Sequence, residues 1–317
     1  MKNFINCDSV NNYKQLVDEA IMLKKNPTLH KELGNKKAIG LLFFNSSLRT
    51  RLSTQKAAMM LGLKCFLMNF NDDGWQLEFQ KNAIMSSDKA EHVTEAAKVI
   101  SNYCDIIAIR KFAGLKDKIE DEREIVLNSF LKHSSVPILN LESSTFHPLQ
   151  ALADAITIKE NKLKEKPKVV LSWAPHPKSL PHAVANSFVK MSMKCDIDLV
   201  IANPVGYNLN KEITNGIKIY NNQEQAFKNA DFIYAKNWSS YDKYGKILNK
   251  DNSKWIIDKS KMNLTKNAKF MHCLPVRRNI VVSDEVIDSK NSLVISQSEN
   301  RIYSALIILK KLLANED

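Results

Sequence analysis

The sequence predicts an α/β protein built from two doubly wound parallel-sheet domains. Short, almost continuously apolar runs alternate with segments of helical periodicity along nearly all 317 residues. Continuous apolar strands are typical of parallel sheets that helices cover on both faces. Because the alternation occurs in two successive sets, we assign residues 1–147 to a first domain and residues 148–298 to a second. A C-terminal helix at 299–317 is expected to pack back on the first domain.

The first set runs from the N-terminus to a helix that begins at Pro148, a residue favoured in the first helical turn. Gly62 is expected to end the second helix. Residues 71–89 lack periodicity and contain acidic residues and Trp75, which is typical of a functional or mobile loop. The predicted elements are helix 9–25, strand 38–44, helix 48–61, strand 64–70, helix 91–103, strand 105–110, helix 121–133, strand 136–143 and helix 148–162.

The second set continues the alternation and closes with an amphipathic helix that carries Ile302, Leu306, Leu309 and Leu313 on one face. Its predicted elements are strand 166–173, helix 180–192, strand 196–203, a further helix, strand 231–236 and strand 269–275. No glycine-rich loop of the GxGxxG or Walker type follows any strand. The sequence therefore lacks the phosphate loops of dinucleotide-binding and P-loop proteins.

The chain is basic, with a formal net charge of +12, and its arginines stand at particular places. Seven of the 46 basic residues are arginine, and six of these fall at predicted strand ends or helix entrances. Planar guanidinium groups bind carboxylates and phosphates in a bidentate manner, so this usage favours anion binding. The alternatives are chance in a lysine-rich chain and a nucleic-acid-binding surface, which would need arginine-rich patches on one face. We expect no nucleic-acid partner.

The five scattered cysteines form no CxxC pair, which predicts a reduced cytoplasmic protein with neither a disulfide framework nor a zinc site. The N-terminal residues contain no apolar run of signal-peptide length. No run of about 18 apolar residues occurs elsewhere, so we expect no membrane-spanning helix and no membrane partner.

Polar residues follow the predicted strands at their carboxyl ends, where open parallel sheets bind their ligands. After strand 38–44, Ser47, Arg49 and Thr50 stand at a helix N-terminus. Free N–H groups, hydroxyls and a guanidinium at this place make a phosphate cradle. Each cluster alone also fits a helix cap or surface charge, but their recurrence favours one site. The other such residues are Arg110, His147, Gln150, Lys236, Cys273 and Arg277, with Arg301 at the start of the last helix.

Three short motifs in these places resemble the aspartate and ornithine carbamoyltransferases: SSLRTR at 46–51, HPLQ at 147–150 and HCLP at 272–275. The resemblance covers the whole chain. It implies that the first domain binds carbamoyl phosphate, that the second binds the amine substrate, and that the protein is a homotrimer whose active sites are shared between subunits. The residues that it assigns to carbamoyl phosphate are Ser47, Leu48, Arg49, Thr50, Arg110, His147, Gln150, Cys273, Leu274 and Arg301, with Trp75 reaching a neighbouring subunit's site.

The resemblance also implies a mechanism that needs no cofactor, no metal and no side-chain nucleophile. A neutral δ-amine attacks the carbamoyl carbon, and Arg110 and His147 stabilise the oxyanion that forms. Cys273 and Arg301 complete the catalytic set. Phosphate leaves into the cradle, and its own oxygens take the amine proton. The alignment of two substrates supplies much of the rate.

Departures from the ornithine enzymes indicate which amine is the substrate. Lys236 stands where those enzymes carry the aspartate that binds a free α-ammonium group, and a lysine suits a carboxylate beside a masked α-nitrogen. The segments WAPHP at 173–177, KNW at 236–238 and HCLPVRR at 272–278 resemble the N-acylornithine branch, which also implies a backbone knot in the second domain. The residues that this branch assigns to the acylornithine are Glu142, His176, Lys236, Arg277 and Ala90.

Ala90 bears on the identity of the acyl group. Acetyl-specific relatives carry a glutamate near this position, which would repel a second carboxylate, whereas alanine leaves space and no negative charge. This favours N-succinyl-L-ornithine as the partner of carbamoyl phosphate. The succinyl branch tends to proline at this position, so Ala90 departs from both patterns. N-acetylornithine and unmodified ornithine remain alternatives.

Overall fold

The chain divides into two units, each with its own parallel sheet. The computed structural model describes residues 1–70, 74–248 and 252–315. Unit 1 comprises Met1–Gly114, Lys118–Leu149 and Arg301–Asp317, and unit 2 comprises Leu115–Asp117 and Gln150–Asn300. The boundaries after Leu149 and Asn300 fall inside two helices, which run from one unit into the other.

Unit 1 is built on a four-stranded parallel sheet. Its elements are α1 Tyr13–Lys25, β1 Ala38–Phe43, α2 Leu48–Met60, β2 Lys64–Asn69, β3 Leu77–Glu78, β4 Glu91–His92, α3 Val93–Tyr103, β5 Ile106–Arg110, α4 Lys118–Glu122, α5 Ile125–His133 and β6 Ile138–Glu142. The strand order is β2-β1-β5-β6, and Leu41 of β1 is in register with Leu67 of β2 and Ala108 of β5. The strands β3 and β4 form a separate parallel pair.

The core of unit 1 lies where the sheet meets α3 and α5. Leu42 and Ile107 from the sheet, Ala97 from α3 and Phe130 from α5 are all buried in one cluster. Every residue of β1 is buried, which explains its continuous apolar run. Helix α2 ends just before Gly62, as predicted. Gly62 has a φ of +79°, and a Cβ on this residue would lie 2.3 Å from a backbone oxygen, so the turn requires glycine.

Unit 2 is built on a five-stranded parallel sheet. Together with α6 and α12, the two helices that contain the unit boundaries, its elements are α6 Pro148–Asn161, β7 Lys168–Trp173, α7 Ala183–Lys194, β8 Asp198–Ala202, α8 Lys211–Thr214, β9 Lys218–Tyr220, α9 Gln223–Phe227, β10 Phe232–Lys236, α10 Lys259–Met262, β11 Lys269–Met271, α11 Asp284–Ile287 and α12 Val294–Ala314. The strand order is β11-β10-β7-β8-β9. Phe188 of α7 packs on Tyr234 of β10 with ring centroids 4.6 Å apart. Two parallel sheets with packed helices confirm the predicted fold class; the knot stays a prediction.

Several elements differ from their predictions, and three of them do so for local reasons. Helix 121–133 is divided into α4 and α5 by Glu124, whose φ of 45° is left-handed. Strand 269–275 ends at Met271 because the ring of His272 accepts the Leu274 N–H and turns the chain. The strand β9 was not predicted, since its three residues are too short a run to show a pattern.

The last helix begins at Val294, so the prediction that Arg301 stands at its start was wrong. The buried residues of the first two turns include Gln297 and Asn300, both fully inaccessible to solvent. Because these buried positions carry polar amides, the first two turns show no apolar helix face in the sequence. The sequence therefore predicts a start at residue 299, five residues after the observed start. Arg301 lies two turns inside α12 and is itself buried.

The segment predicted as a loop at 71–89 lies in unit 1. Residues 71–73 fall outside the described residues, and the remainder contains β3, which pairs with β4. Within the described ranges, no helix combines the length and the apolar character needed to cross a membrane. The five cysteines all lie among the described residues, and none of them is in a disulfide.

Candidate active site

Thr50 lies in the first turn of α2, the helix that follows the carboxyl end of β1. Two arginines, Arg110 and Arg301, contact its side chain and form a cationic cluster. The hydroxyl of Ser47 caps the helix by accepting the Thr50 N–H at 3.3 Å. Thr50 is buried, and its Oγ1 accepts from Arg301 Nη2 at 2.7 Å and from Arg110 Nη1 at 3.5 Å. Two buried guanidinium groups thus lie beside a helix N-terminus, an arrangement that favours an anion.

The ends of β5 and β6 add a carboxylate and an imidazole to this cluster. The ladder shifts register after Ile109, so that Arg110 lies opposite Glu142. Arg110 Nη1 donates to Glu142 Oε2, and His147 Nε2 lies 3.5 Å from the same oxygen. All three side chains are buried. Arg110 Nε has no hydrogen-bond acceptor among the described residues, so the guanidinium keeps a donor for a ligand.

The loop between β6 and α6 presents His147 from a fixed backbone. The carboxylate of Glu124 accepts the Thr145 N–H at 2.7 Å, and the Ser143 N–H donates to the Phe146 carbonyl at 2.8 Å. Asn140 also donates to the Ser143 hydroxyl at 3.1 Å. The left-handed residue that divides the predicted helix 121–133 therefore anchors the loop that ends at His147.

In unit 2, the KNW and WAPHP segments are joined by hydrogen bonds. Lys236 is the last residue of β10 and is 8% exposed. Its carbonyl accepts the Ala174 N–H at 3.1 Å, and the Asn237 side chain donates to the Ala174 carbonyl at 2.8 Å. The Trp173 indole donates to the Trp238 carbonyl at 2.8 Å. These bonds hold Lys236 at the carboxyl end of its strand.

Lys236 and Arg277 form a second cationic group beside His176. Arg277 Nε lies 3.4 Å from His176 Nε2, and His176 Nδ1 lies 2.8 Å from the Lys178 carbonyl. A neutral ring with its proton on Nδ1 satisfies these two contacts, while the Lys178 N–H also lies 3.1 Å from Nδ1. Burial lowers the pKa of His176, and the charges of Lys236 and Arg277 lower it further, against the opposing hydrogen bond to Lys178. Positive charges that disfavour an imidazolium indicate a site for an anion.

The turn that follows β11 carries Cys273 and Leu274. Leu274 has a φ of 56° and precedes a cis peptide bond to Pro275. Cys273 is partly exposed and lies near the buried hydroxyl of Tyr234. Gln150, in the first turn of α6, belongs to the same unit and donates from Nε2 to Asp154 Oδ1 at 2.7 Å.

Trp75 and Ala90 lie just before the strands of the β3–β4 pair of unit 1. The Trp75 indole donates to Glu91 at 2.9 Å, and the Ala90 N–H donates to the Gln76 carbonyl at 3.2 Å. Trp75 is 59% exposed, and Ala90 is exposed as well. Both residues present surface side chains, and neither is among the groups that contact Thr50.

The structure sorts the predicted residues into groups. Around Thr50 it places Ser47, Arg110 and Arg301, with Leu48 and Arg49 in the same helical turn and His147 reached through Glu142. Glu142, which the resemblance assigns to the acylornithine, pairs with Arg110 in unit 1, and its contact with the acylornithine stays a prediction. The sequence analysis did not single out Asp154 or Gln297, although Asp154 accepts hydrogen bonds from both Gln150 and Gln297.

One signal for Asp154 was present in the sequence. It is an aspartate one helical turn after Gln150, within an otherwise apolar helix face.

The chain matches known proteins over its full length. Residues 2–160 match the family model described as aspartate/ornithine carbamoyltransferase, carbamoyl-P binding domain, and residues 181–312 match the Asp/Orn binding domain of the same family. The N-succinylornithine carbamoyltransferases of Bacteroides fragilis and Bacteroides thetaiotaomicron are 45% and 46% identical, each over 99% of both chains.

A solved structure shares the fold. It is an N-acetyl-L-ornithine transcarbamylase variant, with one glutamate replaced by alanine, in complex with carbamyl phosphate and N-succinyl-L-norvaline. The TM-score is 0.92 and the identity 32%, over 98% of this chain and 100% of the other. With its two matched domains and the arginines gathered at the α2 N-terminus, the chain belongs to the aspartate/ornithine carbamoyltransferase family.

Proposed function

We propose that this chain transfers the carbamoyl group of carbamoyl phosphate to the δ-amine of N-succinyl-L-ornithine, forming N-succinyl-L-citrulline and phosphate in arginine biosynthesis. The observation that carries the proposal is the presence of two separate cationic groups. Arg110 and Arg301 meet at Thr50 in unit 1, whereas Lys236 and Arg277 lie near His176 in unit 2. The first group suits a phosphorylated substrate, and the second suits a substrate with carboxylates and no free α-ammonium.

In unit 1, the backbone N–H groups of the first α2 turn, with Ser47, Arg49 and Thr50, hold the phosphate. Arg110 and His147 donate to the carbamoyl oxygen, where negative charge develops as the amine attacks. The amine must be neutral to attack, and the departing phosphate takes its proton. The reaction thus requires no cofactor, because each substrate supplies one of the reacting groups.

In unit 2, the charges select against unmodified ornithine. A free α-ammonium about 4 Å from Lys236 would be repelled by about 1–4 kcal/mol, depending on local screening. Acylation removes that charge and leaves the α-carboxylate for Lys236 or Arg277. The acylated amino acid is therefore the better partner for this unit.

Two observations support succinyl over acetyl. The relatives that are 45% and 46% identical are both named N-succinylornithine carbamoyltransferase. The acetylornithine enzyme whose glutamate is replaced by alanine holds N-succinyl-L-norvaline, and Ala90 of this chain stands near that glutamate by resemblance. N-acetylornithine is the alternative acceptor, and unmodified ornithine is the more distant one.

The homotrimer and the reach of Trp75 into a neighbouring site are part of the proposal. Support comes from the edge strand β2, where Phe66 is 48% exposed and lines an apolar cavity of about 400 Å³ together with Met68 and Tyr103. Such an apolar surface favours burial against another subunit. The exposed indole of Trp75 is likewise available to a neighbour. The cytoplasmic location stays a prediction from cysteine usage.

Steady-state assays with three acceptors test the proposal. Carbamoyl phosphate is held constant while N-succinyl-L-ornithine, N-acetyl-L-ornithine and L-ornithine are varied. We expect kcat/KM for the succinyl compound to exceed the other two values by at least about tenfold, which corresponds to about 1.4 kcal/mol. A preference for unmodified ornithine would refute the role given to Lys236.

Ala90→Glu is expected to reverse the acyl preference. A new carboxylate near the distal carboxylate of the succinyl group should lower kcat/KM for N-succinyl-L-ornithine by about 10- to 100-fold. N-acetyl-L-ornithine, which has no such carboxylate, should be turned over at least as well as before. Ala90→Gln is the control, since it adds the same volume without charge. Equal effects of the two variants would show that size, not charge, governs this position.

Binding of a dianionic analogue is expected to take up protons. In the free protein burial lowers the pKa of His176 from its ordinary value, so the ring holds its proton less readily. An anion placed beside it favours the imidazolium and raises the pKa, so protons bind between the lowered and the raised value. Calorimetry with N-succinyl-L-norvaline, which has no δ-amine, in buffers of different ionisation enthalpy measures this uptake. His176→Gln should abolish it, and proton release in the unmodified protein would contradict the assignment.

A further inference from the structure

A buried carboxylate with no part in the proposed chemistry lies one helical turn after Gln150. Asp154 is 0% exposed, and its Oδ1 accepts from Gln150 Nε2 at 2.7 Å and from Gln297 Nε2 at 2.7 Å. Burial of a carboxylate is costly unless donors compensate it, and the two amide groups are such donors. One oxygen atom thus joins α6 to α12 within unit 2.

Gln297 extends this connection to the turn that carries Cys273. Its Oε1 accepts the backbone N–H of His272 at 2.9 Å, while its Nε2 donates to Asp154. Because the two ends of the amide have different partners, its orientation is fixed. The His272 ring then accepts the Leu274 N–H at 2.9 Å. A continuous series of hydrogen bonds therefore runs from Asp154 to the turn at 272–275.

The carboxylate also fixes the orientation of Gln150. An ionised carboxylate only accepts hydrogen bonds, so it binds the NH2 end of the amide and leaves the Oε1 end directed elsewhere. An asparagine at 154 has both a donor and an acceptor and would bind either end. The buried hydroxyl of Tyr234 lies close to both Asp154 and Cys273. Asp154 thus connects Gln150 on one side with Gln297, and through Gln297 with the 272–275 turn, on the other.

We propose that Asp154 is a positioning residue of the carbamoyl transfer: it orients the Gln150 amide directly and holds the 272–275 turn through Gln297. This inference rests on the proposed function, since Gln150, Cys273 and Leu274 are the residues of unit 2 assigned to the carbamoyl group. The role requires a group that accepts from two amides and donates to neither, which aspartate provides.

Asp154→Asn tests the proposal, with Thr157→Val as the matched control. Thr157 lies one turn further along α6, and its hydroxyl accepts from Asn300 of α12 at 3.0 Å, so the control removes a hydrogen bond between the same two helices. We expect Asp154→Asn to lower kcat by about 10- to 100-fold, because small misplacements of positioning groups cost that much. Thr157→Val should stay within threefold of the unmodified protein. The inhibition constant for inorganic phosphate, which reports on unit 1, should change less than twofold in either variant.

A second comparison separates positioning from a purely structural role. In a Gln150→Ala background, Asp154→Asn should lower kcat at least threefold less than it does alone, because part of its effect passes through Gln150. The inference would be overturned if Asp154→Asn lowered kcat by the same factor with and without Gln150→Ala. It would also be overturned if kcat for Asp154→Asn equalled kcat for Thr157→Val. If Asp154→Asn does not fold, Gln297→Met tests the connection from Asp154 to the 272–275 turn. This variant should lower kcat at least tenfold. An unchanged kcat would overturn the inference. Absence of carbamoyl transfer in the unmodified protein would instead refute the proposed function.

Discussion

Arg110→Gln is expected to lower kcat for carbamoyl transfer by about 10²- to 10³-fold, the usual cost of removing a donor from a developing oxyanion. Arg110 ends β5, contacts Thr50 and pairs with Glu142, so its guanidinium is held in place before substrate binds. Glutamine retains hydrogen-bonding capacity but carries no charge. Steady-state kinetics with saturating N-succinyl-L-ornithine measure the loss.

The same substitution leaves Glu142 without its guanidinium partner, and breaking a buried ion pair costs about 3–5 kcal/mol of stability. The double variant Arg110→Gln/Glu142→Gln removes the remaining charge, and should regain stability in thermal unfolding without regaining activity. Arg123→Gln is the control, since Arg123 forms an exposed ion pair with Glu120 in the same unit. If the double variant recovered kcat, the loss would belong to stability and not to catalysis.

Lys236→Met is expected to lower kcat/KM for N-succinyl-L-ornithine by at least about 10²-fold. Lys236 is almost fully buried at the end of β10, where a charge contact with a carboxylate is poorly screened. Loss of such a contact costs about 2–5 kcal/mol, and tenfold in affinity is about 1.4 kcal/mol. Most of the effect should lie in KM, because the ammonium binds a carboxylate that does not react.

Two comparisons sharpen this result. Lys243→Met removes an exposed charge from the same unit and should leave kcat/KM unchanged. With L-ornithine, Lys236→Met should lose less activity than with the succinyl compound, since it also removes the repulsion of the α-ammonium group. Equal losses with both acceptors would mean that Lys236 does not distinguish a masked from a free α-nitrogen.

Much of the fold could be predicted because burial leaves a direct trace in the sequence. All six residues of β1 are buried, and its apolar run gave a strand at the correct place. The polar residues after the strands indicated a candidate site, since parallel strands end at one edge of their sheet. Thr50 and Arg110 were placed correctly at that edge, although 60 positions separate them in the chain.

The features that could not be predicted from the sequence depend on polar side chains that are buried against polar partners. Gln297 and Asn300 are as buried as core leucines, yet their amides resemble surface residues in the sequence and hid the first turns of α12. The pairing of Glu142 with Arg110 depends on a register shift between β5 and β6 that no local pattern records. Glu124 takes a left-handed conformation, and its carboxylate accepts the N–H of Thr145 in a loop 21 positions further along the chain.

The most direct test of the account is to follow the carbamoyl carbon itself. Carbamoyl phosphate labelled with ¹³C is mixed with N-succinyl-L-ornithine and the protein, and NMR records where the label goes while released phosphate is measured in parallel. We expect the label in the ureido carbon of N-succinyl-L-citrulline, with one phosphate released for each molecule formed. Phosphate release without labelled N-succinyl-L-citrulline, or label incorporated only when unmodified ornithine is supplied, would contradict the account.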